Sequence, residues 1–256
     1  MPLTKFPAEF EDLLTATGRR VLSGRTFFDP LTPERPFVAL QGLVDAKKAA
    51  GCVKLLDRTL RPHLQLMEQP IPPETITQMQ ANYDEWLPKA ARQRTAYFDR
   101  KTERAWRAAE EIGLIAMMKS QSYATFAATL AGKALRPKWG IQALCYEPGD
   151  YVGPHNDHHP EEPEARDGYV DVHLSFANDA VAHHWLVYAE HGHLSRIESV
   201  ATMGGVTAYR LPFWHYTTPL VAKPGREHDA RRWVLLGTFL YATPRARTSV
   251  QPAGKQ

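Results

Sequence analysis

"IQALCYEPGDYVGPHND", residues 141–157, is the stretch at which the chain changes its period. Upstream, apolar residues recur at helical spacing. From Trp139 onward they come in short runs with a period of two, divided by turn residues such as the Pro148-Gly149 pair. The stretch therefore reads as strand, turn, strand, and its second arm ends in His155-Asn156-Asp157. Residues two apart on a strand point to the same side, so this arm can present an imidazole and a carboxylate to one point. An H-x-D triplet is too common to define a site alone, and the rest of the chain must supply the context.

Downstream, strands are expected at roughly 139–147, 151–157, 169–177, 183–189, 194–199, 205–211, 215–222 and 231–241. About eight short strands without intervening helices indicate a sandwich, barrel or jelly roll rather than an α/β sheet. Upstream, residues 1–135 read mainly as helix. Helices are expected over "PAEFEDLLTATGRRVL" (7–22), "DAKKAAGCVKLLDRTL" (45–60, capped by Asp45), "PPETITQMQANYDEWL" (72–87), 102–116, and from Ser120 or Ser122 to Gly132. The charge-rich "RQRTAYFDRKTERAWR" (92–107) reads as the solvated face of a helix. The expected class is α+β, with a helical N-terminal region (1–135) supporting a β core (136–244), and a disordered tail (245–256).

With 256 residues, 43% hydrophobic and 23% charged, the chain can bury one large core. A net charge of +3, with basic residues mixed among acidic ones, implies no nucleic-acid partner. Cys52 and Cys145 stand far apart and suggest neither a disulfide framework nor a thiolate metal site. The N-terminal "MPLTKFPAEFEDLL" lacks the pattern of a signal peptide and no window approaches a membrane span, so no membrane partner is expected and the cytoplasm is the expected compartment.

A third ligand for the His155–Asp157 pair is available in "LPFWHYTTPL" (211–220): His215 lies on the seventh expected strand, which a jelly roll can bring beside the second. Two histidines and one carboxylate make a facial triad suited to non-haem Fe(II), with open positions for co-substrate and oxygen. His158 and His159 read as solvated loop residues, as does the acidic "PEEPEARDG" that follows. His183, His184, His191 and His193 read as hairpin surface or core packing.

Order and spacing across residues 139–241 resemble the Fe(II)- and 2-oxoglutarate-dependent dioxygenases, especially the prolyl-4-hydroxylase-like branch. "IQALCYEPGDYVGPHND" is similar to that branch's strand, Tyr-x-Pro-Gly turn and H-x-D. "GGVTAYRLPFWHYTTPL" (204–220) is similar to its later strand pair ending in the distal histidine, and "RRWVLLGTFLY" (231–241) to its last strand. The resemblance implies a double-stranded β-helix (jelly-roll, cupin-like) core, with Fe(II) held by His155, Asp157 and His215, 2-oxoglutarate as co-substrate, and O2. It further implies hydroxylation of an unactivated C–H bond of a small molecule or peptidyl residue, with succinate and CO2 as co-products. The far carboxylate of the co-substrate needs a cation, and a guanidinium can grip it with two parallel bonds. Arg232 is the choice and Arg231 the rival, since adjacent residues face opposite sides of a strand. By the same resemblance Tyr146 donates its hydroxyl to the co-substrate. Asp157 fills a position that halogenating relatives leave without a carboxylate, which favours hydroxylation or a related oxidation. Residues 1–135 match no motif of the family.

Two enzyme alternatives are weaker. A metallohydrolase of the β-lactamase-like pattern needs a histidine at position 153, where Gly153 stands, and a nucleic-acid demethylase of the same superfamily needs a signature that "RRWVLLGT" replaces. The alternative of another class is a catalytically silent jelly-roll module that binds a ligand or protein.

Overall fold

A computed structural model describes residues 3–70, 90–157 and 168–242. The expected helix at 72–87, His158 and His159, all of "PEEPEARDG" but its last glycine, and the whole of the tail lie outside these residues.

Between residues 139 and 241 the eight expected strands appear as ten segments: β4 (Gly140–Tyr146), β5 (Tyr151–His155), β6 (Tyr169–Ala177), β7 (Val181–His183), β8 (Trp185–Glu190), β9 (His193–Ser199), β10 (Met203–Leu211), β11 (His215–Thr217), β12 (Val221–Ala222) and β13 (Arg232–Leu240). All pair antiparallel, and two layers emerge from the pairing: β10-β6-β13-β4 on one side and β5-β11-β8-β9 on the other. This is the double-stranded β-helix.

The N-terminal region, expected to be mainly helical, also carries strands. It contributes β1 (Phe37–Leu40), β2 (Gln65–Gln69) and β3 (Ala91–Tyr97). β1 extends the first layer beside β10. β3 pairs with both β4 and β5, so it joins the two layers into one continuous sheet. Part of "RQRTAYFDRKTERAWR" is thus a strand and not a helix. Its arginines are explained by partners remote in sequence: Arg94 pairs with Asp150 at 2.7 Å and Glu147 at 3.0 Å, and Arg92 lies 3.7 Å from Asp150. These carboxylates belong to the Pro148-Gly149 turn. Gly149 sits there at φ +84°, where a side chain is strained.

The helices are α1 (Ala16–Leu22), α2 (Ala46–Leu55), α3 (Arg104–Glu111), α4 (Leu114–Met118) and α5 (Gln121–Ala131). Asp45 caps α2 by accepting from the Lys48 N–H at 2.9 Å, Ser120 caps α5, and Gly132 ends α5 at φ +62°. Thr15 accepts from the Gly18 N–H and starts α1, which splits the long helix expected over 7–22 into a 3-10 turn at Phe10–Leu13 and α1.

Alternation along the first layer divides its two faces. Val170, Val172, Leu174 and Phe176 of β6, with Trp233, Leu235 and Phe239 of β13, point outward into one large apolar core shared with the helices. The other face turns into the barrel. Trp233 Nε1–H donates to Asp57 just after α2 at 2.9 Å, and Tyr123 of α5 donates to the Val172 carbonyl at 2.9 Å, so helices and sheet are locked in one register. A Cβ on Gly237 would lie 2.7–2.9 Å from the rings of Tyr123 and Phe239. Gly237→Ala is therefore expected to cost about 1–3 kcal/mol by overpacking and to lower the melting temperature by about 2–4 °C per kcal/mol. An unchanged thermal unfolding curve would refute this packing.

Candidate active site

β5 and β11 lie side by side, with His155 and His215 as register partners. Their rings are 4.2 Å apart, and both are largely buried. In each, Nδ1 faces a backbone carbonyl two residues earlier: Gly153 at 2.7 Å for His155, Phe213 at 2.9 Å for His215. A carbonyl only accepts, so each Nδ1 carries a proton, which leaves each Nε2, turned toward the same point, as the atom that can donate a lone pair to a metal.

Asp157 completes the group by a different route from the expected alternation. β5 stops at His155, two residues before the expected end, and Asp157 lies beyond it in the left-handed region at φ +50°. Aspartate tolerates that region better than most residues. The chain turns there so that Oδ2 comes within 3.2 Å of His155 Nε2 and 3.7 Å of His215 Nε2. The Tyr169 hydroxyl donates to the Asp157 carbonyl at 2.7 Å and fixes the turn to the start of β6. The three donor atoms lie within 4.8 Å of one another. Three electron-pair donors aimed at one point repel each other unless a cation stands among them, and two imidazoles with one carboxylate suit a divalent transition metal.

Across the same cavity Arg232 enters from the first residue of β13. It is 2% exposed. Its Nε–H donates to the Ser175 hydroxyl at 2.8 Å, and that hydroxyl in turn donates to the Val200 carbonyl at 2.8 Å. Nη1 donates to His184 Nδ1 at 3.3 Å. Arginine cannot accept, so His184 must be neutral. Burial, followed by the guanidinium beside it, holds the imidazole well below its usual range. Burial also pulls Arg232 down from its ordinary value, and among the described residues no carboxylate pairs with it. Tyr146 lies under the guanidinium, 5.5 Å from ring centre to Cζ, and burial pushes its phenol up, so the hydroxyl keeps its proton. Arg231 faces the other way. Its guanidinium donates to the carbonyls of His228 and Asp229 and lies 3.9 Å from both Asp57 and Glu147.

One cavity is lined by His155, Asp157, His215, Tyr146 and Arg232. Leu144, Val152, Leu186, Val234 and Leu236 supply apolar wall. All five site residues expected from sequence are thus brought together. Reading the sequence missed Ser175, His184 and Tyr169, which hold them in place; a histidine counted as hairpin or core packing turns out to hold the arginine.

The architecture matches solved structures. The epimerase SnoN from nogalamycin biosynthesis, described as non-haem and α-ketoglutarate dependent, superposes with a TM-score of 0.52 at 14% identity, covering 89% of this chain and 82% of its own. A 2OG-Fe(II) oxygenase family oxidoreductase from Burkholderia pseudomallei gives 0.50 at 15% identity, covering 91% and 95%. A prolyl 4-hydroxylase from Phytophthora capsici gives 0.50 at 12% identity, covering 98% and 72%. This chain has their fold. No protein-family model matches the sequence, and no curated protein matches it. Among the described residues no helix is long and apolar enough to cross a membrane.

Proposed function

We propose that the protein is an Fe(II)- and 2-oxoglutarate-dependent oxygenase that hydroxylates an unactivated C–H bond of a small molecule or peptidyl residue and releases succinate and CO2. One observation carries this reading: a single cavity holds three convergent metal-type donors and, facing them, a buried guanidinium without a counter-ion among the described residues. A charge so placed costs several kcal/mol unless an anion joins it. A dicarboxylate that chelates the metal at one end and pairs with Arg232 at the other satisfies both.

In this reading His155, Asp157 and His215 hold iron, Arg232 holds the far carboxylate, and Tyr146 donates its hydroxyl to the same molecule. Iron and 2-oxoglutarate, when bound, supply the oxidising chemistry with O2. The chain supplies orientation. The Gly153 and Phe213 carbonyls keep the two Nε2 lone pairs aimed, Tyr169 holds the Asp157 turn, and Ser175 with His184 fixes the guanidinium plane. The apolar wall excludes water, which strengthens each of these contacts.

The test is aerobic incubation with Fe(II), 2-oxoglutarate and a panel of amino acids and peptides. Succinate is expected to form only when metal and co-substrate are both present, nearly one-to-one with an oxidised product. A binding module would bind ligand without succinate release above the metal-free control, and that result would overturn the reading.

A further inference from the structure

Four residues of β6 turn into the barrel: Tyr169, Asp171, His173 and Ser175. The outer two are occupied, Tyr169 with the Asp157 carbonyl and Ser175 with Arg232. The inner two are not. Asp171 Oδ1 and His173 Nε2 are buried and have no hydrogen-bond partner among the described residues. Their nearest mutual approach, 4.0 Å, is too long for a hydrogen bond. Both line the cavity that holds the triad and Arg232. The opposite face of β6 is packed into the large core, so neither side chain can turn away without exposing apolar surface. Buried polar atoms without partners cost free energy, and in a binding cavity the missing partner is the ligand.

We propose that Asp171 and His173 form the subsite that receives a protonated amine of the primary substrate, an ammonium or guanidinium group. The proposal rests on the oxygenase reading above and names its substrate class. A carboxylate accepts only, so its ligand must donate. Charge selects a cation over a hydroxyl. The double charge of iron equals that of 2-oxoglutarate, and the single charges of Arg232 and Asp157 sum to zero. Among the described residues lining the cavity, no fixed cation therefore stands within hydrogen-bond distance of Asp171, whose nearest basic neighbour is His173 at 4.0 Å. Tyr209, the register partner of Asp171, lines the same cavity. Its ring stands 4.4 Å from His173 and 5.3 Å from His215. The subsite is thus one ring removed from a metal ligand, and an amine held there leaves a carbon a few bonds away facing the triad.

The experiment uses protein loaded anaerobically with Fe(II) and 2-oxoglutarate. Lysine, ornithine and arginine within short N-acetylated peptides are titrated by calorimetry beside the same peptides carrying norleucine, which keeps the lysine side chain without its ε-amine. At least one amine is expected to bind about 30-fold or more tighter than norleucine, the ratio of a desolvated charge pair. Asp171→Asn should remove that ratio while retaining its fold by circular dichroism, and Asp171→Glu should recover part of it. Equal binding of amine and norleucine, no binding of any amine, or an unaltered ratio in Asp171→Asn would each overturn the subsite. Failure of the parent reading looks different: the loaded protein would then lack the visible band of a metal-chelated keto acid before any amine is added.

Discussion

Replacing His155, Asp157 or His215 by alanine is expected to abolish the visible band that forms when Fe(II) and 2-oxoglutarate are added without oxygen. Each replacement leaves two donors, and two protein ligands rarely hold a divalent ion. Loss of a group that merely orients a ligand typically costs 10–100-fold in metal affinity, on the order of the floor for losing the ligand itself. Asp157→Asn is the sharper probe. It keeps the turn, which depends on the backbone carbonyl bonded to Tyr169, and removes the negative charge 3.2 Å and 3.7 Å from the two imidazoles. His193 is exposed on β9, so His193→Ala should leave the band intact. A band that survives in all three ligand variants would refute the metal assignment.

The β core was legible because its strands obey a local rule. Apolar runs of period two between turn residues mark β4 to β13, and misses of detail have local causes, such as Pro219 interrupting the strand expected over 215–222. β3 was not legible. Its arginines mimic a solvated helix face, and their partners Asp150 and Glu147 lie in a turn far along the chain, so tertiary pairing decided what propensity could not.

At the site, the residues that converge were readable from residue type and order, whereas the way Asp157 reaches its position was not. Alternation along a strand gave the right neighbours for the wrong reason, since the strand ends at His155 and a left-handed turn does the work. One signal for the supporting residues was present and unread. "YVDVHLSFA" (169–177) places Asp171, His173 and Ser175 at every second position of an otherwise apolar strand. In a strand covered on both faces that pattern marks the face lining a polar cavity. His184 carries no such signal, because its partner Arg232 meets it only through the closure of the barrel.

Arg232→Met is expected to raise the 2-oxoglutarate requirement by about 30-fold or more, the equivalent of the roughly 2–5 kcal/mol lost when one member of a buried, hydrogen-bonded charge pair is removed. Methionine keeps most of the volume and deletes the charge. The ligand-free variant should therefore melt no lower than wild type, because a buried cation without a counter-ion is itself destabilising. Ligand linkage gives the contrast. At a co-substrate concentration of about 100 times its dissociation constant, wild type gains about 2.7 kcal/mol, a rise of roughly 5–10 °C at about 2–4 °C per kcal/mol, and Arg232→Met should lose most of that rise. Arg231→Ala should behave in the opposite sense on both readouts. Its guanidinium ties the His228 and Asp229 carbonyls and lies near Asp57 and Glu147 outside the cavity, so the ligand-free protein should melt lower while the co-substrate requirement stays within a few fold of wild type. The reverse pattern would transfer the carboxylate contact to Arg231, and with it the inward face of β13.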